Sequence, residues 1–301
     1  SRIDQQYNVN ITGGGTNYKY YGSLGYDKSR TNVVNALTDR FTMRYNSNWK
    51  PLKKFEIGAE IAWSLSNAES KNALGEYTSV LSSPYLMLAD ENGNHLSIPK
   101  KYRLSYVDTA RFPGLMDWHF RPLDEITKGD QKSQMNDIHL TGRINYEILP
   151  GLEASLSYQW QKSKSERRDI KDQSTFFVRD LINQYVTVNS LGQVIYPIPI
   201  GSTYEQNSST GSSWNFRAQL NFNKQWQVHQ VNAIAGFDAR EMQNEIIQMP
   251  TQYGFDKQTF TFKTLQYGTW NLRPGGSSAV LNPGTYLLAG LLNRFNSYYL
   301  N

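Results

Sequence analysis

The sequence of 301 residues carries 31 Lys and Arg against 26 Asp and Glu, a formal net charge of +5; its mean hydropathy is -0.61, with 39% hydrophobic and 13% aromatic residues. No run of about 18 apolar residues occurs, which excludes a membrane-spanning helix but not a barrel, whose strands are only half apolar. Cysteine is absent, which excludes a disulfide framework and a thiolate metal site, and the basic residues are too evenly spread to mark a nucleic-acid surface.

Taken in order, the chain alternates with a period of two. Tyr7, Val9 and Ile11 alternate with Asn8, Asn10 and Thr12; Gly13-Gly14-Gly15-Thr16-Asn17 makes a turn; Tyr18, Tyr20, Gly22, Leu24 and Tyr26 share one face of the return strand. A polar connection from Asp27 to Thr38 leads to a long hairpin over Asp39–Ser66. One face carries Phe41, Met43, Tyr45 and Trp49, then Phe55, Ile57, Ala59, Ile61, Trp63 and Leu65; the other carries Arg44, Glu56 and Glu60. After an irregular stretch over 67–134, Ile138 to Tyr146 and Leu152 to Trp160 form a second hairpin around Leu149-Pro150-Gly151. Another irregular stretch, 162–213, precedes a third hairpin with Trp214, Phe216, Ala218, Leu220 and Phe222 on its first arm and Val231 to Phe237 on its second. A last one, 241–289, precedes a strand over Arg294–Tyr299.

Arms of roughly 10 to 12 residues exceed the usual globular strand of about 5 to 6 and suit a tilted transmembrane strand of about 9 to 11. Connections alternate short and long, as in outer-membrane barrels with tight turns on one side and long loops on the other. Large apolar residues recur eight positions apart on one face: Phe41 and Trp49, Phe55 and Trp63, Leu152 and Trp160, Trp214 and Phe222. Eight residues on a tilted strand rise roughly 20 Å, close to the distance between two aromatic girdles of about 25 Å. The expectation is an all-β antiparallel transmembrane barrel segment with these residues as girdle and with Arg44, Arg143, Arg217, Glu56 and Glu60 facing the lumen. There the arginines either contact a ligand or a plug or pair with lumen carboxylates such as Glu56, Glu60 and Glu147. A soluble β-sandwich that buries the same aromatic stripes in a core, as in a glycan-binding module, stays open beside it.

Catalytic patterns are missing. The histidines His95, His119, His139 and His229 are scattered; Asp117 and His119 lack further ligands; and Asp90-Glu91-Asn92-Gly93-Asn94 begins like a calcium loop but has His95 and Lys101 where glycine and glutamate belong. No metal, cofactor or enzyme activity is expected. The loop aromatics Tyr85, Tyr102, Trp118, Phe120 and Trp270 stand in polar segments, where rings stack on sugars or anchor peptides, or else pack the loops together. The run Lys162-Ser163-Lys164-Ser165-Glu166-Arg167-Arg168-Asp169 reads as a strand end rising into water.

Several stretches together resemble a known family. They are Tyr7 through Gly13-Gly14 to Tyr20-Tyr21-Gly22-Ser23-Leu24-Gly25-Tyr26, Asp90-Glu91-Asn92-Gly93, Arg121-Pro122-Leu123-Asp124-Glu125-Ile126, Phe176-Phe177-Val178-Arg179-Asp180-Leu181-Ile182-Asn183, Tyr196-Pro197-Ile198-Pro199, Ala235-Gly236-Phe237-Asp238-Ala239-Arg240 and Arg294-Phe295-Asn296-Ser297-Tyr298-Tyr299. In order and spacing they resemble the barrel of SusC/RagA-type TonB-dependent transporters of Bacteroidetes outer membranes. The resemblance implies about 8 to 9 strands of a 22-stranded barrel in the outer membrane, with the plug domain and remaining strands outside this chain. It also implies import of oligosaccharides or peptides, a SusD-like surface lipoprotein as partner, and TonB acting through the plug.

Overall fold

The alternation builds one antiparallel sheet. The computed structural model describes residues 2–74, 85–265, 267–268, 270–272, 278–280 and 284–301. Its strands are β1 (Ile3–Gly14), β2 (Tyr18–Arg30), β3 (Ala36–Leu52), β4 (Phe55–Ser70), β5 (Gly129–Leu149), β6 (Leu152–Lys171), β7 (Thr187–Val188), β8 (Val194–Ile195), β9 (Ser202–Trp226), β10 (His229–Gln248), β11 (Gln252–Phe255), β12 (Trp270–Leu272), β13 (Ser278–Val280) and β14 (Leu287–Leu300). The main sheet runs in the order β1-β2-β3-β4-β5-β6-β9-β10-β14, each long strand beside the next in sequence, and β11 adds to the end of β9. Three short helices, α1 (Leu104–Thr109), α2 (Pro122–Glu125) and α3 (Phe176–Tyr185), lie in the first two long connections.

Cross-strand pairs keep each face uniform, because antiparallel partners point the same way. Tyr26 pairs with Phe41, Phe41 with Leu65, Trp63 with Ile138, Leu140 with Trp160, Trp160 with Trp214, and Leu152 with Phe222. Phe41 and Trp63 meet edge to face at 5.3 Å, and Phe55 meets Tyr146 at 6.3 Å. The Trp63 indole donates to Asn136 Oδ1 at 2.8 Å, so its polar edge points toward the loop end, as an interfacial tryptophan's does.

This face is not a core. Val9 is 72% exposed, Trp49 52% and Tyr158 49%, while the buried apolar residues lie in the loops (Ile98, Trp118, Phe120, Phe176, Val178, Ile182 and Ile198) or, as Ile170 and Tyr204 against Phe255, at the loop ends of the strands. Among the described residues no second sheet covers the stripes, so the sandwich reading is overturned. A band of exposed aromatics this broad calls for lipid.

The register also gives the tilt. Trp63 lies two residues closer to the turns than Leu65, the partner of Phe41, and Trp160 two closer than Lys162, the partner of Ile138. The upper aromatic row thus descends by about one residue per strand, which at about 3.3 Å per residue and 4.8 Å between strands is a tilt of roughly 35°, within the barrel range.

Tight turns at 15–17, 53–54, 150–151 and 227–228 gather at one end, and the connections 31–35, 71–128, 172–201 and 249–286 at the other. Two expectations are corrected here. The β2–β3 connection is short, and every long strand near the loops runs beyond the expected limits, as β5 does by starting at Gly129. Past the girdle most side chains on both faces are polar, so the ladder of hydrogen bonds continues where the apolar alternation has stopped. At the 150–151 turn Gly151 has φ +90, and a Cβ there would sit 2.4 Å from the Asn223 carbonyl oxygen. Gly151→Ala is therefore expected to cost at least about 1–2 kcal/mol, read as a lower urea midpoint for the folded barrel.

Candidate functional site

Opposite the apolar band, each strand shows water-seeking side chains. One row across the sheet reads Asn46, Glu60, Thr141, Gln159, Asn215, Arg240; the next reads Asn48, Gly58, Arg143, Ser157, Arg217, Asp238. Arg44, Arg143, Arg217, Glu56 and Glu60 all share this face. Arg217 holds Asp238 through two bonds of 2.7 and 3.1 Å, Arg143 approaches Glu60 at 3.9 Å, and Glu56 takes Lys50 at 2.9 Å. The carboxylate partner of Arg217 is thus Asp238 on the neighbouring strand β10. Arg44 has no ion-pair partner among the described residues. Gln159 Nε2 reaches His139 Nε2 at 2.9 Å, and Arg40 grips Asp27 at 2.7 and 3.0 Å. The surface offers amides, hydroxyls and paired charges to a polar ligand without a group set for catalysis.

On the loop side a folded cap is built on α3. Thr175 opens the helix by accepting from the Val178 N–H at 3.4 Å, and Glu125, fully buried, accepts the Phe176 N–H at 3.1 Å with both carboxylate oxygens. From the helix Arg179 donates to the carbonyls of Asp117 (2.8 Å) and His119 (3.3 Å) and lies 3.8 Å from Glu125. Asp180 accepts from the Trp118 indole (2.9 Å), Lys101 (2.8 Å) and Gln184 (2.8 Å), and Asn183 exchanges both of its bonds with the backbone of Met116 at 2.8 and 3.0 Å. One helix thus stitches the second long loop onto residues 116–120 of the first. Burial pushes the Glu125 carboxyl above the usual carboxylate range, against the pull of the Phe176 N–H, Lys128 and Arg179.

On the cap's flank His119 is held at both ring nitrogens, by Asp117 at 2.6 Å and by Asp108 of α1 at 2.8 Å. The hydrogen bond to Asp108, with help from Asp117, raises the imidazole pKa against the opposing effect of burial. Burial would raise the Asp117 carboxyl, but Arg121 and His119 outweigh it and hold the group well below its ordinary range. The clamp's histidine contribution is complete below the unfolded value near 6.5 and is lost as pH rises through the raised folded value. The Asp117 contribution is present above about pH 4 and is lost as pH falls through its depressed value. Hydrogen exchange of α1, corrected for intrinsic rates, should therefore quicken as pH rises through the raised His119 value, and His119→Gln should flatten that dependence.

The expected ligand-facing aromatics separate. Tyr85 is 92% exposed and Tyr102 38%, and both are open to a partner. Trp118 and Phe120 are corrected: at 6% and 1% exposure they pack the cap, Phe120 against Phe176 at 5.0 Å and Trp118 under Tyr102 at 4.9 Å. Trp270 enters through its backbone, paired with Val280 in β12–β13, and its ring lies outside the described residues. The sequence reading missed the buried polar residues Glu125, Arg179, Asp180 and Asn183. A signal for α3, which carries the last three, was present, with Thr175 as cap and Phe177, Leu181 and Tyr185 four apart.

One apolar face within two aromatic rows, one polar face, tight turns at one end and a folded cap at the other define the wall of an outer-membrane β-barrel. Solved structures of importers carry the same fold. The RagAB peptide importer in its closed-closed state matches 98% of this chain with a TM-score of 0.65 at 15% identity, and another structure of the RagAB peptide transporter matches 99% with a TM-score of 0.64 at 14%. This chain spans 29% and 30% of the length of those chains. At that identity the likeness is one of fold. No family model matches the sequence, and no curated protein does.

Proposed function

We propose that the chain is part of the wall and external cap of a TonB-dependent outer-membrane importer of the SusC/RagA type. In this reading the barrel has 22 strands, its ligand is an oligosaccharide or a peptide, a SusD-like surface lipoprotein sits over the loops, and TonB acts through a plug region. The observation that carries it is the division of one sheet into a lipid face and a ligand-compatible polar face under a built cap. The edge strands β1 and β14 each pair on one side only, and unpaired backbone is not tolerated in lipid, so closure by further strands fits the reading. Phe41, Trp49, Phe55, Trp63, Trp160, Trp214 and Phe222 are the girdle, and outer-membrane lipid is their partner. Arg44, Arg143, Arg217, Glu56 and Glu60 line the path, with Arg44 the cation open to a passing carboxylate or hydroxyl. Tyr85, Tyr102 and Trp270 are the loop aromatics assigned to ligand contact.

The name of the RagAB structures supports a peptide as the cargo, and the amide-rich polar face suits either class. Purification of the native protein from mildly extracted outer membranes, followed by ligand uptake in cells with and without TonB, tests the reading. A lipoprotein in one-to-one ratio and uptake that stops without TonB are expected. Uptake that continues without TonB would overturn it.

A further inference from the structure

The polar face is not uniform, and it changes where β10 meets β14. From the tight-turn side outward, the pairs on this face set Arg240 beside Phe295, Met242 beside Asn293, Asn244 beside Leu291, Ile246 beside Ala289 and Gln248 beside Leu287. Phe295, Met242, Leu291, Ile246 and Leu287 therefore zigzag between the two strands, and Asn293, Asn244 and Gln248 fill places between them. On the other side of β10, the same levels of β9 hold Asn215, Ser213, Gly211, Ser209 and Asn207, short side chains that leave the stripe beside a low shelf. Phe295 is 60% exposed, Leu291 55%, Leu287 46% and Ile246 43%. On a face that meets water, a continuous apolar patch of this kind marks a contact surface.

A cation stands at the end of the stripe nearer the tight turns. Arg240 is exposed and has no ion-pair partner among the described residues; its Nη2 lies 4.0 Å from the Met242 sulfur. Asp238, the next residue toward the turns on this face of β10, is already held by two bonds from Arg217. An apolar wall thus ends on a guanidinium open to an anion. Successive rows lie two residues apart, about 6.7 Å, the same spacing as alternate side chains of an extended peptide. Such a peptide laid along the stripe sets every second side chain on an apolar row, brings its backbone to Asn293, Asn244 and Gln248, and ends on Arg240. Sugar rings stack on an aromatic face, but the hydroxyls of an oligosaccharide find no partner along Leu291, Ile246 and Leu287.

We propose that the β10–β14 stripe is a binding site for the C-terminal end of an extended peptide with apolar residues at alternate positions. The terminal carboxylate sits on the Arg240 guanidinium, whose planar fork matches it, and the apolar side chains lie along Phe295, Met242, Leu291 and Ile246. The inference rests on the import reading above and narrows its cargo. A hydrogen-bonded charge and a buried leucine are each worth about tenfold or more in affinity, so loss of either should be measurable by itself.

The test is fluorescence anisotropy of labelled octapeptides with the full protein in detergent. Three probes are used: leucine alternating with serine and a free C-terminal carboxylate, the same peptide as its C-terminal amide, and a free acid of the same composition with its leucines in one block. The alternating acid should bind at least tenfold more tightly than either of the others. Arg240→Gln should bring the acid down to the level of the amide, and Leu291→Asn should weaken both about tenfold, while Leu292→Asn on the opposite face should change neither. Equal binding of acid and amide, equal binding of alternating and blocked leucines, or an Arg240→Gln variant that still tells acid from amide would overturn the proposal. Heat-modifiable gel mobility of each sample and TonB-dependent uptake in the source cells keep the import reading separate: a folded, TonB-dependent importer that does not distinguish the probes sinks this inference alone.

Discussion

Arg179→Ala is expected to open the external cap. The guanidinium is 8% exposed and satisfies two backbone carbonyls of the first loop while facing Glu125, which is fully buried. Without it both carbonyls lose their donor, and Glu125 keeps only Lys128, at 3.6 Å, as a nearby cation. Breaking a buried pair by removing one partner costs about 3–5 kcal/mol, more than the remaining contacts of α3 to residues 116–120 can be expected to absorb. Arg179→Lys should rescue little, because a single ammonium cannot copy a fork that reaches two carbonyls. Protease added to intact cells should cut within 71–128 and 172–201 of the variant and spare the wild type. The strands, whose ladders do not pass through the cap, should stay folded. A variant as resistant as the wild type would show that the apolar packing of Phe120, Phe176 and Val178 holds the loops unaided.

The second large effect falls on the strands. Leu156 is 44% exposed on the aromatic face, midway between Leu152 and Trp160 and beside Ile144 and Ala218. An arginine there would sit near the bilayer midplane at a cost of about 2–4 kcal/mol, roughly a thirtyfold or greater loss of the folded form. Ser155, its neighbour on the polar face, pairs with Asn145 and Gln219, and Ser155→Arg should cost little. The folded fraction after refolding into bilayers, read from unboiled gels, distinguishes the two positions. Equal losses would mean that both faces see the same solvent.

The strands and their facing were legible because burial in lipid on one side and water on the other imposes a period of two that a sequence displays directly. Trp63 and Trp160, far apart in sequence, fall on one face because β4 pairs Trp63 with Ile138 across the long connection and β5 pairs Leu140, on the same face as Ile138, with Trp160. Where lipid ends, the signal ends too. Residues 163–169 continue the strand with polar side chains on both faces, and only at Ile170, buried against Tyr204 and Phe255, does an apolar contact return. The cap was largely hidden for another reason. An aromatic in a polar segment reads the same whether it meets a ligand, as Tyr85 is free to do, or fills a core, as Phe120 does; the difference lies in α3, which arrives more than fifty residues later. Arg179 and Asp180 likewise look like solvated charges until Asp117, Trp118 and Glu125 are placed beside them.

One face of this sheet lies in lipid and the other in water. The chain has no cysteine, so single cysteines at Leu156 and Ser157 can be probed in intact outer membranes with a charged thiol reagent. The account predicts rapid labelling at Ser157→Cys and almost none at Leu156→Cys until detergent and denaturant are added. Equal labelling at both positions in the intact membrane would contradict it.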